Sequence, residues 1–427
     1  MLVAHMSDLH IGAKPYGLQE RARDVEEAFL ESIERIERER PGIVVVAGDV
    51  FDKPKPDMRS LKLAVSGFGR LTRKGIKVVC AHGEHDTPAS KREATPIEVL
   101  AESLGQNFIA PRHPADKSGS LAEWLRNYVV KVDGLHVAVF PFTKWGGLRE
   151  KRVHGGRILE VMSRIVEKID GKKLFLGHFS LEPVFRLDSL AHPDQLPPVD
   201  YAAMGHIHRR YVRRGGDCSS CPLFAYPGSL EAVTDPDHDE GLARRGFFLV
   251  DLSARGEPVL QDVWLDSTRP AITLKVESRS GFSELKRLLY RELERTLSRV
   301  KGFKKQAFVR LRIEVAKRFY ASPRQVRELV EEASRKLGIL PWVTVSFLDE
   351  PQPKARASSG QFDQAELIAS IAGLERDFGE MVLQLKEAVL EGDPDLIDGL
   401  VDSIARKYGR KLLSGATTRG GGLSSWL

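Results

Sequence analysis

Three cysteines among 427 residues are too few for a disulfide framework, which points to a reducing, cytoplasmic setting. Two of them, Cys218 and Cys221, form CSSC inside the Gly/Ser-rich stretch GGDCSSCP. Without a second pair that motif is half of a zinc site. A plain surface loop is the simpler reading, with a local disulfide or shared metal clip as alternatives. No uninterrupted apolar run of about 18 residues occurs, and MLVAHMSDLH has no basic stretch leading into an apolar one. Neither a membrane span nor a secretion signal is therefore expected. Internal repeats are absent too. The charge balance leans slightly one way, with 65 Lys+Arg against 59 Asp+Glu, which favours phosphate-rich partners over acidic ones.

A chain this long exceeds one ordinary core. Its first part alternates strand-like runs (LVAHM, IVVVAG, IKVVCA, KLFLG, YAAMG) with helical periodicity over 18–40, 57–73, 95–104 and 156–169. YVVKVDGLHVAVFPF and GFFLVDLSARGEPVLQDVWL read as hairpins. This pattern predicts an α/β domain over 1–267 with mixed sheets flanked by helices. From 271 the order resets to β-α-β-α-β and ends near 349, a second compact domain whose last helix starts at the Ser322-Pro323 cap. Residues 350–362 (EPQPKARASSGQ onward) read as a flexible linker. Over 363–410 two amphipathic helices, at 364–390 and 395–407, cannot bury their apolar stripes alone and call for a partner surface. The tail, 411–427, reads as disordered.

Five predicted strand ends in the first domain carry metal-ligating residue types. They are SDLH (Asp8, His10), GDVFD (Asp49, Asp52), GEHD (Glu84, His85, Asp86), GH (His178) and GHIH (His206, His208). Strands of one sheet end side by side, so groups distant in sequence converge there. A mixed Asp/Glu/His set suits Mn²⁺, Fe or Zn better than Ca²⁺ or Mg²⁺. There are more donors than one ion uses, which argues for two ions sharing a carboxylate, an arrangement that serves phosphoester cleavage.

In the order DxH, GDxxD, G-x-HD, GH, GHxH the sequence resembles the calcineurin-like metallophosphoesterases, and YPGS at 226–229 fits as well. The length, the β-α-β-α-β domain and the helical tail are similar to those of archaeal DNA double-strand-break repair nucleases of the SbcD type, the meiotic-recombination-eleven family. That resemblance implies a four-layer sandwich of two mixed sheets, a small capping domain over 271–349, and two Mn²⁺ per chain, with Mg²⁺ or another divalent ion as the alternative. It also implies that Asp8, His10, Asp49 and His208 hold one ion. Asp49 would bridge to a second ion held by Glu84, His178 and His206. His85 would be the general acid for the leaving 3′ oxygen or would orient the phosphate, with Asp52 and Asp86 fixing their neighbours. The family usually has Asn where this chain has Glu84, which adds a negative charge beside a phosphate substrate.

The implied activity is 3′-to-5′ exonuclease and single-strand endonuclease action on DNA ends. An SMC-like ABC ATPase of SbcC type would bind 363–410, and a homodimer would form through Leu61, Val65, Phe68, Ile97 and Leu100. DNA contacts are expected from Arg209, Arg210, Lys304 and Lys305, and more generally from Lys286, Arg287, Arg310 and Arg312. Two alternatives stand beside this: a phosphodiesterase for small nucleotides on the same scaffold, and a catalytically weak DNA-end tether, motivated by Glu84.

Overall fold

The computed structural model describes residues 1–90, 93–111, 120–144, 147–182, 184–185, 188–213, 222–239, 243–253, 256–300, 302–316, 322–348, 368–369, 374–391 and 394–416. Two six-stranded sheets lie face to face. The first contains β1 (Leu2–Met6), β2 (Ile43–Ala47), β3 (Lys77–Ala81), β4 (Phe108–Ile109), β13 (Gly246–Asp251) and β14 (Val259–Trp264), in the order β14-β13-β1-β2-β3-β4. The second contains β5 (Val129–Val132), β6 (Leu135–Val139), β7 (Lys173–His178), β10 (Tyr201–Gly205), β11 (Tyr211–Arg213) and β12 (Leu223–Tyr226), in the order β11-β12-β10-β7-β6-β5. Between them in sequence, β8 (Ser180–Leu181) pairs with β9 (Ser189–Ala191) as a ribbon. Parallel central strands with antiparallel strands at one edge of the first sheet and at both edges of the second make each sheet mixed.

Side-chain alternation builds the layers. In β1 and β2, Ala4, Met6, Val44 and Val46 face the helices α1 (Gln19–Glu39), α2 (Met58–Arg73) and α3 (Pro96–Leu104). Val3, Ile43, Val45 and Ala47 face the other sheet, meeting Leu174, Leu176, Tyr201 and Ala203. Phe175, Ala202 and Met204 point outward to α4 (Leu121–Arg126) and α5 (Leu148–Val166). The result is a four-layer α/β/β/α sandwich, whose parallel strands are apolar on both faces because both faces are covered. α5 begins eight residues before the predicted helix, so the basic run LREKR at 148–152 forms its first turns rather than a loop.

The second domain is a three-stranded parallel sheet of β15 (Ala271–Ser278), β16 (Phe308–Ala316) and β17 (Leu340–Leu348), order β15-β16-β17. Its apolar face packs under α7 (Phe282–Leu297) and α8 (Pro323–Leu337), the latter capped by Ser322. One end of the opposite face meets the first domain, where Tyr16 stacks on Phe308 and Trp342. Around that contact, Lys305 and Arg269 reach Asp24, and Arg21 joins Asp24 to Glu231.

Several expectations are corrected. Phe68, Ile97 and Leu100 are fully buried in the chain's own core, so they offer no dimer face; Leu61 and Val65 are half-buried against the same core. The stretch 364–390 is not one helix, because Leu374 and Glu375 lie outside helical structure and the helix proper is Arg376–Glu391. The following helix, Pro394–Ala416, runs into the stretch expected to be a disordered tail. These two helices pack on each other through Phe378 and Tyr408, yet Val389, Leu396 and Val401 stay exposed. Cys218, Cys221 and the linker 350–361 lie outside the described residues. No helix of the described residues is long and apolar enough to cross a membrane.

Candidate metal centre

Strands β1, β2, β3, β7 and β10 all deliver their C-terminal ends to one place. The loops after β1 and β2 stay zipped beyond the strands: Asp8 N–H donates to Gly48 O at 3.1 Å, His10 N–H to Asp49 O at 3.0 Å, and Ile11 N–H to Val50 O at 2.9 Å. Asp86 accepts from the N–H groups of Val50, Phe51 and Gly83, which clamps the loop after β3 against the loop after β2. His85 N–H donates to Asp49 Oδ1 at 2.8 Å, and His206 N–H to both oxygens of Asp8.

Close approach depends on glycine. A Cβ on Gly83 would sit 2.1 Å from Asp49 Oδ1, and one on Gly48 would sit 2.5 Å from His178 Nδ1. Among the described residues seven other than glycine have positive φ, and four of them are Asp8, His10, Asp49 and His206. Strained backbone of this kind costs about 1–3 kcal/mol per residue and persists only where the surroundings enforce it, as at functional sites.

Three overlapping groups of donors, each with its atoms within 4.8 Å of one another, result: Asp8, His10 and His208; Asp8, Asp49 and His178; His10, Asp52 and His85. Imidazole tautomers follow from their outer partners. His178 Nδ1 donates to Ala47 O at 2.7 Å, so its Nε2 lone pair faces Asp49 Oδ2 at 3.2 Å. His208 Nδ1 donates to Asp237 Oδ2 at 3.0 Å, so its Nε2 lone pair faces His10 Nε2 at 3.0 Å and Asp8 Oδ1 at 3.8 Å. With the outer nitrogens so committed, the inner ones face acceptors, and the place favours a positive charge among them, whether a proton or a metal ion. The donor set therefore fits divalent metal ions, with imidazole and carboxylate donors of the kind Mn²⁺, Fe or Zn accept.

The electrostatics carry the same message. Burial disfavours the charged form of His178, but Asp49 and Asp8 outweigh it and push its pKa up to about 10. Burial also works against ionised Asp49, and the surrounding imidazoles of His178, His10 and His85 overcome it, holding the carboxyl well below its usual range. His10, fully buried and facing His208, is driven down to about 3 and stays neutral. Burial and the Asp49 charge raise Asp86.

Other expected residues stand apart. Glu84 is exposed and belongs to none of the three groups; it lines a cavity of about 250 Å³ beside His178, His206, Phe142, Lys151 and Asp188. His206 turns its Nε2 to Asp188 at 2.9 Å, leaving Nδ1 as its open nitrogen. His85 is exposed, its ring edge-on to His10 with centroids 4.8 Å apart, and its Nδ1 donates to Asp52 O. Asp52 itself lies 3.8 Å from His10 Nδ1. Arg209 is exposed on the adjoining loop.

Five of the residues expected to touch DNA pair with acids. Arg210 is sandwiched over Phe248 and Trp264 and paired with Asp262, which commits it to a sheet edge. Lys305 bridges to Asp24 and Glu27, and Lys304 pairs with Asp266, so the two lysines join the domains. Arg310 likewise pairs with Asp235 across the domain boundary, and Lys286 pairs with Glu332.

Residues unforeseen from the sequence complete the surroundings: Asp188 with Lys151 behind His206, and Asp237 with Arg245 behind His208. Asp188, although partly desolvated, is held at about 2 by His206 and Lys151. The only available signal was the acidic run DPDHDE set among basic stretches at 235–240.

The model of the calcineurin-like phosphoesterase family matches residues 1–210. "DNA double-strand break repair protein Mre11" of Aeropyrum pernix is 37% identical over 300 residues, covering 70% of this chain and 68% of that one. The protein of the same description from Methanococcus maripaludis is 30% identical over 264 residues, covering 59% and 63%. A solved dimetal phosphatase from Danio rerio is 12% identical with a TM-score of 0.36, over 61% of this chain and 98% of that one, too distant to bear on the site.

Proposed function

This chain belongs to the Mre11 family of calcineurin-like metallophosphoesterases, and on that premise we propose that it is a Mn²⁺-dependent DNA nuclease acting at double-strand breaks. Its actions would be 3′-to-5′ exonuclease cleavage of duplex ends and endonuclease cleavage of single strands. The observation that carries this reading is the convergence of the Nε2 atoms of His10, His178 and His208 on Asp8 and Asp49.

Asp8, His10, Asp49 and His208 would hold one cation; Asp49, His178 and His206 the other, with Glu84 swinging in from the rim. When bound, two such ions supply Lewis-acid stabilisation of a phosphodiester and lower the pKa of an attacking water. Everything else falls to the protein. Asp49, which would serve both positions, has its backbone and Oδ1 pinned by the loops after β1 and β3. His85, with Nδ1 committed to the Asp52 carbonyl, keeps Nε2 for the proton handed to the leaving 3′ oxygen. Arg209, and residues of the second domain not committed to ion pairs, would meet DNA phosphates, which bind without regard to sequence.

An SMC-like ABC ATPase is the proposed partner of 363–410, supported by the exposed Val389, Leu396 and Val401. A homodimer is proposed through the outward side of α2 and α3, where Met58 and Val99 are exposed. The test of the reading is a Mn²⁺ titration followed by assay on a DNA duplex and on a nucleotide monoester. The native chain should bind two ions and cleave DNA in preference to the monoester, and His85→Ala should keep both ions while losing cleavage. Unchanged cleavage by His85→Ala would remove the proposed chemistry. Preference for the monoester would favour the small-substrate phosphodiesterase.

A further inference from the structure

A five-residue helix, α6 (Asp235–Asp239), links the two domains and carries two acids with opposite loyalties. Asp237 is buried, and its Oδ2 accepts from His208 Nδ1 at 3.0 Å and from the N–H groups of Val233 and Thr234 at 2.9 and 2.7 Å. Arg245 stands 3.6 Å from its other oxygen and also donates to the Asp237 and His208 carbonyls. Two residues earlier, Asp235 belongs to the second domain's contact surface. One of its oxygens accepts from Tyr16 OH at 2.7 Å, and the other pairs with Arg310 of β16 at 2.5 Å. The guanidinium of Arg310 is almost fully buried beside the rings of Tyr16 and Trp342, and its Nε and Nη1 have no partner among the described residues. A buried cation so poorly compensated elsewhere holds its one carboxylate firmly.

The contact of Arg310 with Asp235 and that of Asp237 with His208 thus sit two residues apart on one short helix. We propose that Asp237 is a positioning residue for His208 and that docking of the second domain, through Arg310 and α6, sets how tightly one of the two cations is held. This rests on the two-cation reading above. Asp237 fixes the His208 tautomer and ring so that Nε2 faces the site, the role outer-sphere carboxylates play for metal-binding imidazoles. Because α6 is short and held at both acids, withdrawal of β16 would take Arg310 from Asp235, leaving it with Tyr16, and would loosen α6 and with it Asp237. Coupling between binding events is reciprocal, so filling that cation position also tightens the docked arrangement.

The experiment uses the full chain with Mn²⁺ alone, following affinity by calorimetry and the spin-coupled ion pair by electron paramagnetic resonance. Native protein should take up two ions. Asp237→Asn, which can still accept from Val233 and Thr234, should weaken one position by about 10–100-fold and leave the other unmoved. The coupled signal should then give way to that of an isolated ion. Arg310→Met should weaken the same position although Arg310 is no ligand, and the double variant should bind no worse than Asp237→Asn.

Equal losses at both positions, or native affinities in either single variant, would overturn the proposal. If Asp237→Asn fails to fold, Arg310→Met decides alone, its change lying in the second domain. A native chain that binds no Mn²⁺ would instead overturn the two-cation reading itself; two normal sites with indifferent variants would sink only the coupling.

Discussion

Removal of the metal should make folding stability depend on pH in a window where few other groups titrate. Burial opposes the imidazolium of His178, but Asp49 at 3.2 Å and Asp8 outweigh it and raise the pKa from 6.5 to about 10. Folded His178 therefore keeps a proton that the unfolded chain gives up above pH 6.5. The stabilisation is complete below 6.5 and is lost as pH rises toward 10. At about 1.36 kcal/mol per unit, the loss between pH 7 and 9 is about 2.5 kcal/mol. Over a first domain of about 265 residues, with ~2.1 cal/mol/K of unfolding entropy each, this lowers Tm by ~4–5 °C. His208, whose burial is outweighed by Asp237 and Asp8, is also raised and adds in the same direction. His10, lowered to about 3, contributes only below pH 6.5 and stays out of the window. With Mn²⁺ present the Nε2 lone pairs serve the cation and no proton is bound there, so the slope should vanish. Thermal melts under argon at pH 7, 8 and 9, in chelator and in Mn²⁺, with His178→Gln as control, make the measurement. Equal slopes with and without Mn²⁺ would refute the reasoning, as would a slope that His178→Gln leaves intact.

Gly83→Ala puts a Cβ 2.1 Å from Asp49 Oδ1 and 2.3 Å from its N, so calorimetry should show Mn²⁺ affinity down about 10-fold or more in a protein that still folds. Arg210→Ala removes a cation lying 4.2 and 4.1 Å from the Phe248 and Trp264 ring centres, which should cost about 2 kcal/mol in denaturant titration. The salt dependence of its DNA affinity should match that of the native chain if its pairing with Asp262 keeps Arg210 from phosphate. Glu84→Asn exchanges a rim carboxylate for a neutral amide; tighter binding of the second ion and faster cleavage are expected, and identical affinities and rates would show that Glu84 does not touch the chemistry.

Much of the site was legible because its parts are local in sequence. A strand is an apolar run, the glycine that turns it is its neighbour, and Asp49, His178 or His206 follows at once, while Asp8 follows β1 through Ser7. Which polar groups join at the core's edge is then a matter of adjacency in the sheets. The fate of the charged residues was not legible. Arg210, Lys304 and Lys305 look in sequence like any other basic residues, and folding pairs each with an acid brought in from elsewhere. Phe68, Ile97 and Leu100 have helical spacing that suits a partner face and an inner face equally, and burial against the sheet decided between them.

The amino-acid sequence by itself determined the main strands and helices of the two domains and the roster of imidazoles and carboxylates at the strand ends, because period and turn chemistry are properties of neighbours along the chain. Only the tertiary structure decided that Asp237 and Asp188 stand behind His208 and His206, that Glu84 lies at the rim, and that the second domain grips α6. A hydrogen-bond partner is chosen by distance in space, and that distance exists only once the sheets have closed on each other.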